Sequence, residues 1–374
     1  MAKNARKEYT DLQSNVQKPA KKKMRGRDRA VFITAILLII ASLGIIGGVV
    51  LLKWRPLVDP NNGMISSQYY TPPEIKEKSV NFLICGVDFE ENTSRAKLTD
   101  VIMVVNFDIQ GKKVNVLQIP RDTFVEKETS TGKINAVYGR SKNGGMAGLA
   151  EVIHQNLKLP IDHYATVTMT AFRKIIDELG GVQVNVPQRI VLENVTIEPG
   201  LQTLDGLKSE RFVRERYSYA DGDLGRVKMQ RLFMAGLAKK LTSIGTNDLF
   251  KIITKVMGDV TTDMSVQEVM DFAGVMQTVD ISNMNVSMLP GEGYEYYSNG
   301  HKQSCYALHK EKTAELLNLK FRPYQDAVPA GSLGIIEPEG LQYYSNYEDN
   351  DNDFDDLLNG QKPGAKGAGS EAGN

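Results

Sequence analysis

The sequence has few of the residues from which catalytic and metal sites are commonly built. Of its 374 residues only two are cysteine and four are histidine. Two cysteines exclude a disulfide-rich scaffold, and without Cys-x-x-Cys or His-Glu-x-x-His spacings a zinc site has little to build on. The hydrophobic fraction of 41% excludes a mainly disordered or multi-span membrane chain. Any chemistry must therefore come from arginine, lysine, carboxylates and hydroxyls.

The formal net charge of zero hides two oppositely charged ends. Residues 1–29 carry ten basic and three acidic residues, a net charge of +7, whereas residues 337–374 carry nine acids and two lysines, a net charge of −7. The acidic end becomes glycine-rich and is too poor in apolar residues to offset the entropy lost on ordering. We therefore predict a cytoplasmic basic segment over 1–29 and a disordered tail over 337–374.

A run of 23 residues without a charge, residues 30–52, follows the basic segment. A helix of that length covers the hydrocarbon core of a bilayer, about 30 Å thick. The apolar core of a cleavable signal peptide is shorter, about 7 to 15 residues, so we predict one transmembrane helix. The basic residues keep the N-terminus in the cytoplasm, which places everything after Leu52 outside the cell membrane. We expect no nucleic-acid partner, because a basic cluster beside the membrane serves as an orientation signal.

The extracytoplasmic region predicts an α/β fold. Residues 53–79, rich in Pro, Asn, Ser and Tyr, indicate a stalk. Over residues 80–336, short runs rich in Val and Ile alternate with segments of helical period, including helices near 224–243, 246–257, 265–277 and 312–319. This alternation favours a three-layer α/β/α sandwich with a central mixed sheet.

Polar motifs stand at predicted strand ends, where active sites of α/β proteins tend to lie. Asp88 follows one strand and Asp100 begins the next, so the two carboxylates are a plausible seat for Mg²⁺. In the alternative interpretation, Asp88 caps a turn and Asp100 pairs with an arginine. Arg121 follows Pro120, which stops a strand, and would project at the sheet edge.

Arginines dominate the second polar region. Arg226 and Gln230 are four residues apart and would share a helix face, with Arg226 in the first turn, where an anion is stabilised by the helix N-terminus. Guanidinium groups bind phosphate oxygens bidentately, so a set of four arginines suits a pyrophosphate. In the alternative interpretation these arginines form surface salt bridges. The set is Arg121, Arg214, Arg216 and Arg226.

Nine short motifs, taken together and in order, resemble the LytR-CpsA-Psr family of cell-wall enzymes over roughly residues 80–240. These Gram-positive proteins have a single membrane span, a cytoplasmic N-terminus and an outer catalytic domain. The motifs are Gly86-x-Asp88, Thr99-Asp100, Ile119-Pro120-Arg121-Asp122, Lys133-Ile134-Asn135, Ile161-Asp162-His163-Tyr164, Leu179-Gly180-Gly181-Val182, Leu204-Asp205-Gly206, Val213-Arg214-x-Arg216 and Asp223-x-Gly225-Arg226.

The resemblance implies a phosphotransferase that moves a glycopolymer, such as teichoic acid or capsule, from a polyprenyl-pyrophosphate lipid to peptidoglycan through a phosphodiester. A sugar hydroxyl of the acceptor would be the nucleophile, so the enzyme needs no nucleophile of its own. Asp88 and Asp100 would hold Mg²⁺, with Mn²⁺ as the alternative metal. The pyrophosphate would be bound by Arg121, Arg214, Arg216, Arg226 and Gln230. Catalytic roles would fall to Arg121, Arg214, Arg216 and Asp223. The candidates for the general base are Asp122 and Asp223.

Two positions depart from the family pattern. Leu98 stands where many relatives carry arginine, with Lys97 beside it, and Met229 precedes Gln230 where relatives often show Arg-Gln. Each change removes a positive charge near the phosphates, so we expect altered rate or substrate preference. A non-catalytic polyprenyl-lipid-binding or regulatory envelope protein is the alternative function.

The remaining conspicuous residues favour structural interpretations. We expect a hydrogen-bonding role for His163 and a small hydrophobe at Cys85, with Cys305 in an irregular stretch. For Tyr294 and its neighbours, an exposed loop is favoured over a sugar groove.

Overall fold

The computed structural model describes Ile65, Leu341 and residues 69–87, 97–140, 142–215, 223–339 and 351–360. The predicted cytoplasmic segment and transmembrane helix lie outside these residues, as do residues 361–374 of the tail. Within the described ranges, no helix has both the length and the apolar character needed to cross a membrane.

The described residues form thirteen strands, and seven of them make up the central sheet. The strands in chain order are β1 (Ser79–Val87), β2 (Thr99–Asp108), β3 (Lys113–Gln118), β4 (His163–Thr168), β5 (Val182–Val186), β6 (Ile190–Leu192), β7 (Val195–Ile197), β8 (Gly200–Leu204), β9 (Val260–Thr262), β10 (Met284–Met288), β11 (Gly291–Ser298), β12 (His301–Leu308) and β13 (Asp351–Asp353). The sheet order is β13-β10-β3-β2-β1-β4-β9. β1 is parallel to β4 and β3 to β10, while β2 is antiparallel to both of its neighbours. The predicted mixed sheet is confirmed.

Helical periodicity predicts the helices observed near 224–243, 246–257, 265–277 and 312–319, but not those at 73–76, 206–214 and 354–358. The described residues form nine helices. They are α1 (Pro73–Lys76), α2 (Gly145–Leu157), α3 (Met169–Glu178), α4 (Gly206–Arg214), α5 (Asp223–Ser243), α6 (Thr246–Val256), α7 (Val266–Met276), α8 (Lys310–Lys320) and α9 (Phe354–Leu358). Short 3₁₀ turns lie at Glu126–Glu128, Ile134–Ala136, Met257–Asp259, Ile281–Asn283 and Ala330–Ser332. The Gly180-Gly181 pair that ends α3 has positive φ at both residues, a conformation that glycine adopts without strain.

Helices flank the sheet because successive strand residues point to opposite faces. On one face Leu83 and Cys85 pack in a cluster with Leu149 of α2 and Leu317 of α8. On the other, Val116 and Val286 pack in a second cluster with side chains of α3, α4, α5 and α9. Each fully buried leucine or valine contributes about 1.5–3 kcal/mol, so these two clusters hold the helices against the sheet.

Part of the predicted stalk belongs to the folded domain. The carboxylate of Asp162, which is 1% exposed, accepts hydrogen bonds from the Thr71 amide at 2.9 Å, the Thr71 hydroxyl at 2.7 Å and the Asn81 amide at 2.8 Å. Ile65 is buried in the core. The boundary predicted at residue 80 is therefore wrong: hydrogen bonds from Thr71 to a carboxylate 91 residues away fix this proline-rich segment, and local periodicity does not report them.

The prediction of a disordered tail over 337–374 is wrong for residues 351–360. β13 pairs antiparallel with β10, with Val286 opposite Asn352, and α9 buries Phe354 and Leu357 in the second cluster. The average composition of the tail conceals this short segment. Strand pairing uses backbone groups, and two apolar side chains three residues apart suffice to dock one helical turn on an existing core.

We expect Asp162→Ala to lower the free energy of unfolding by about 2–4 kcal/mol, because Thr71 and Asn81 would keep buried donors without an acceptor. Urea unfolding of the full-length protein in detergent, followed by circular dichroism, measures the change. The matched control is Asp326→Ala on an exposed residue, expected within about 0.5 kcal/mol of wild type. Equal midpoints for the two variants would contradict the role given to Asp162.

Candidate functional site

A narrow cleft lies at the strand ends of the sheet, where β2 begins, β3 ends and the first turns of α5 approach. Antiparallel pairing of β2 with β3 places the start of one beside the end of the other. The cleft is lined by Asp100, Gln118, Arg121, Arg226 and Gln230 among other residues. Four residues predicted for the site, two from strand ends and two from a helix, therefore meet in one place.

A β-bulge directs Asp100. The β1–β2 register pairs Gly86 with Val101 but Val87 with Thr99, so Asp100 is an additional residue without its own partner. Bulges bend a strand locally and redirect side chains. Glycine at position 86 relieves crowding here, because a Cβ at this position would lie 3.1 Å from the Cβ of Val101, closer than an ordinary van der Waals contact. The bulge thus presents the Asp100 carboxylate at the cleft.

The end of β3 directs Arg121. The Ile119 amide makes a bond to the Ile102 carbonyl at 2.9 Å, and Pro120 then has no amide hydrogen to offer. Arg121 turns out of the sheet and its Nη1 donates to Asp100 Oδ1 at 2.8 Å. The pairing of Asp100 with an arginine, one of the two interpretations of this acid, is thus observed, and it joins two predicted site residues.

The Lys133-Ile134-Asn135 motif frames the Arg121 turn. Lys133 Nζ lies 3.0 Å from Asp122 Oδ1, and the Asn135 amide donates to the Arg121 carbonyl at 3.1 Å. The Thr99 hydroxyl donates to the Asn135 carbonyl at 3.4 Å. Asp122 is therefore an ion-pair partner that braces the turn, which argues against its use as a general base.

Arg214 ends α4 and is oriented by a buried acid. Its Nη1 donates to Glu210 Oε1 at 2.7 Å, one helical turn back, and Arg173 and Arg211 contact the same carboxylate. Burial alone would raise the pKa of Glu210, which is 0% exposed, but hydrogen bonds from Arg173 and Arg214 outweigh it and hold that pKa below its usual value. Glu210 was missed at the sequence level, although its spacing of four from Arg214 was a signal.

α5 supplies the remaining predicted side chains. It begins at Asp223, so Arg226 is in its first turn as predicted, and Arg226 is 8% exposed. One turn later Gln230 Nε2 donates to the Val213 carbonyl at 3.2 Å, which joins α5 to the end of α4 next to Arg214. Gln118 Nε2 donates to the Val227 carbonyl at 3.3 Å, which joins α5 to the end of β3. Gln118 was also missed; its only signal was a polar residue in an apolar strand.

Four predicted residues are not placed in the cleft: Arg214 is not among its lining residues, and the other three are Asp88, Arg216 and Asp223. Asp88, directly after Val87, and Arg216 lie outside the described residues, and Asp223 is described only as the first residue of α5, without its side chain. In the described part of the chain no group of three or more metal-ligating side chains comes together. Asp100 is the carboxylate that the structure does place in the cleft, and its oxygens are of the type that Mg²⁺ prefers.

The departures from the family pattern have structural consequences. Met229 packs in the second cluster at 7% exposure. Arg231, which could have replaced the missing charge, is fully buried and donates to Gln118 and Asn352 instead. Lys97 is exposed, two residues before β2.

The histidine, cysteines and tyrosines singled out in the sequence have structural roles. His163 Nδ1 lies 3.4 Å from Asp263 Oδ2, and the ring stacks on Phe82. Cys85 and Cys305 are both buried, free thiols, and Cys305 lies in β12, so the prediction of an irregular stretch was wrong. The rings of Tyr294 and Tyr296 pack against Phe124, which fixes their hairpin on the domain.

The sequence is similar to cell-wall proteins. The cell wall biosynthesis protein LcpA of Corynebacterium glutamicum is 28% identical over 245 residues, 58% of this chain and 46% of LcpA. The polyisoprenyl-teichoic acid–peptidoglycan teichoic acid transferase TagV of Bacillus subtilis is 30% identical over 207 residues, 52% of either chain. The chain thus spans about half the length of these two relatives.

Solved structures share the fold. B. subtilis TagV aligns with a TM-score of 0.57 at 24% identity, covering 64% of this chain and 95% of TagV. TagT bound to LIIa-WTA aligns with a TM-score of 0.52 at 20% identity, covering 68% of this chain and 94% of TagT. A sequence model of the LytR_cpsA_psr family matches residues 61–320, which include every residue of the cleft. The chain belongs to the LytR_cpsA_psr family.

Proposed function

We propose that the protein is a phosphotransferase that moves a glycopolymer from a polyprenyl-pyrophosphate lipid to peptidoglycan. The observation that carries this proposal is the cleft in which Asp100, Arg121, Arg226 and Gln230 meet. It offers cationic and amide donors beside a helix N-terminus, and such a site binds phosphate groups. The names of relatives such as TagV, a teichoic acid transferase, support the same reaction class.

The transfer requires one bond to form and one to break. The acceptor hydroxyl oxygen attacks the phosphorus nearest the glycan, the bond to the bridging oxygen breaks, and polyprenyl phosphate leaves. Arg121 and Arg226 would hold oxygens of the pyrophosphate, and Gln230 would donate an amide hydrogen to it. Because Asp100 and Asp122 already orient Arg121, its guanidinium needs little rearrangement when the substrate binds.

Binding of the second phosphate and removal of the acceptor proton are assigned partly to side chains outside the described part of the chain. Arg214 and Arg216 would hold the second phosphate, since Gln230 joins the end of α4 to the cleft. Since Asp122 is ion-paired with Lys133, we propose Asp223 as the residue that takes the proton of the acceptor hydroxyl.

Mg²⁺, or Mn²⁺, would be held by Asp100 and Asp88. Asp100 fits that role as an oxygen ligand at the cleft, and Asp88 directly follows the strand paired with it. When bound, the ion would neutralise charge on the phosphates.

The uncharged run 30–52 and the basic residues before it support a single-pass membrane anchor with the catalytic domain outside. Such an anchor would keep the domain beside its lipid substrate. The polymer transferred would be teichoic acid or capsule.

We expect Arg121→Ala to reduce the rate of transfer by at least about 100-fold, because it removes a donor aimed at developing charge on phosphate. Arg121→Lys restores the charge without the planar fork and should recover only part of the rate. The assay incubates full-length protein with a polyprenyl-pyrophosphate oligosaccharide and peptidoglycan fragments and scores the phosphodiester-linked product.

The control for that experiment is Arg189→Ala, which removes an exposed arginine paired with Glu198. Equal product from Arg121→Ala and Arg189→Ala would overturn the assignment of Arg121. Tight lipid binding by wild type without any product would replace the transferase with the lipid-binding alternative.

We expect Asp100→Asn to raise the Mg²⁺ concentration for half-maximal transfer about tenfold, since the amide loses a metal-binding charge. Activity is measured over a titration of Mg²⁺ and repeated with Mn²⁺. Asp271→Asn, at an exposed residue of α7, is the matched control. A metal requirement that is the same in both variants would remove Asp100 from the proposed metal site.

We expect Glu210→Gln to cost about 1–3 kcal/mol of stability at pH 7, because charge-assisted bonds from Arg173 and Arg214 are weakened. The folded-state pKa of Glu210 is lowered from its ordinary 4.5, so this stabilisation is present above pH 4.5 and is lost as pH falls through the folded pKa. Urea unfolding at pH 7 and at pH 3 should therefore show a difference between wild type and variant that shrinks in acid. A difference independent of pH would contradict the assignment.

A further inference from the structure

A buried polar network joins the C-terminal strand to the floor of the cleft. Arg231 of α5 is 0% exposed; its Nε donates to Gln118 Oε1 at 2.9 Å and its Nη1 donates to Asn352 Oδ1 at 2.9 Å. Burial of a guanidinium is costly unless its donors are satisfied. Asn352 supplies one of the acceptors from a segment 121 residues away in sequence.

The network ends at the cleft itself. Gln118 lines the cleft at the end of β3, three residues before Arg121. Its Oε1 accepts from Arg231, and its Nε2 donates to the Val227 carbonyl, the residue after Arg226. Arg231 therefore fixes the orientation of the Gln118 amide, and that amide joins the first turns of α5 to β3.

Apolar packing reinforces the same connection. Phe354 and Leu357 of α9 lie in one cluster with Leu232 and Phe233 of α5, and the two helices pack against each other. Asn352 in β13 and these two α9 side chains thus contact α5 from the edge of the sheet. All three residues lie beyond 61–320, the part of the chain that matches the family.

Arg231 carries its charge at neutral pH. Burial lowers the pKa of its guanidinium to about 10, and the nearby Asp351 carboxylate favours the charged form. Its bonds to Gln118 and Asn352 are therefore charge-assisted, and such bonds are about twice as strong as bonds between neutral groups.

We propose that Asn352 and Arg231 are positioning residues: through them the C-terminal strand holds the start of α5 so that Arg226 and Gln230 face the cleft. The ligand of that cleft, a lipid pyrophosphate, rests on the proposed function. The C-terminal strand and helix then help to set the geometry of the site.

The test compares Asn352→Leu, which removes the acceptor at similar size, with Asn352→Asp, which keeps it. The matched control is Ser287→Ala in β10, whose hydroxyl bonds Asp351 in the same strand pair without touching Arg231. Full-length protein in detergent is measured for affinity toward geranylgeranyl pyrophosphate with Mg²⁺, and for amide hydrogen exchange over residues 223–231. We expect about tenfold weaker binding and faster exchange in Asn352→Leu, and near wild-type values in Asn352→Asp and Ser287→Ala.

Two results would overturn the positioning role: unchanged exchange over α5 in Asn352→Leu, or equal losses in Asn352→Leu and Ser287→Ala. If wild type binds no pyrophosphate, the proposed function fails, and the exchange comparison still decides whether Asn352 holds α5. Should Asn352→Leu not fold, Asn352→Ala, which removes the acceptor without adding bulk, takes its place in both measurements.

Discussion

The contact between Arg121 and Asp100 is the constraint on which the site depends. It joins two antiparallel strands at one sheet edge, at 2.8 Å between Nη1 and Oδ1. Both side chains are partly exposed, at 22% and 31%, so the pair contributes at most about 1 kcal/mol to stability. Its value is orientation: the bulge presents the acid, Pro120 ends the strand, and the pair then fixes the direction of a guanidinium that would otherwise sample many rotamers.

Arginines around the cleft are held by acids in the same way. Asp100 and Asp122 contact Arg121, and the buried Glu210 contacts Arg214 together with Arg173. Like-charged guanidinium groups would repel one another if they were gathered without counter-ions. The acids remove that repulsion and restrict the side chains before any ligand arrives. The entropy cost of ordering the arginines is thus met during folding, which leaves more of the contact energy for binding.

Local signals in the sequence predict most of the helices, but not the long-range partners of the site residues. Helix α5 and the shared face of Arg226 and Gln230 follow from a spacing of four residues, which is a local signal. Glu210, the acid that orients Arg214, was missed because one of its ion-pair partners, Arg173, lies in another helix 37 residues earlier. The tail was predicted disordered because composition was averaged over many residues, whereas docking needed only strand pairing and two apolar side chains. Long-range contacts of this kind leave no period in the sequence.

The docked C-terminal segment also explains how a charged side chain is kept in the core. Met229 packs among apolar side chains, whereas Arg231, two residues later, is buried behind Gln118. Without β13, β10 would be an open edge of the sheet and Arg231 would lose its amide acceptor at Asn352. A guanidinium that lost this acceptor would attract water toward the end of β3, where Gln118 lines the cleft. One chain of contacts, from Asn352 through Arg231 to Gln118, therefore joins the edge strand β13 to the cleft.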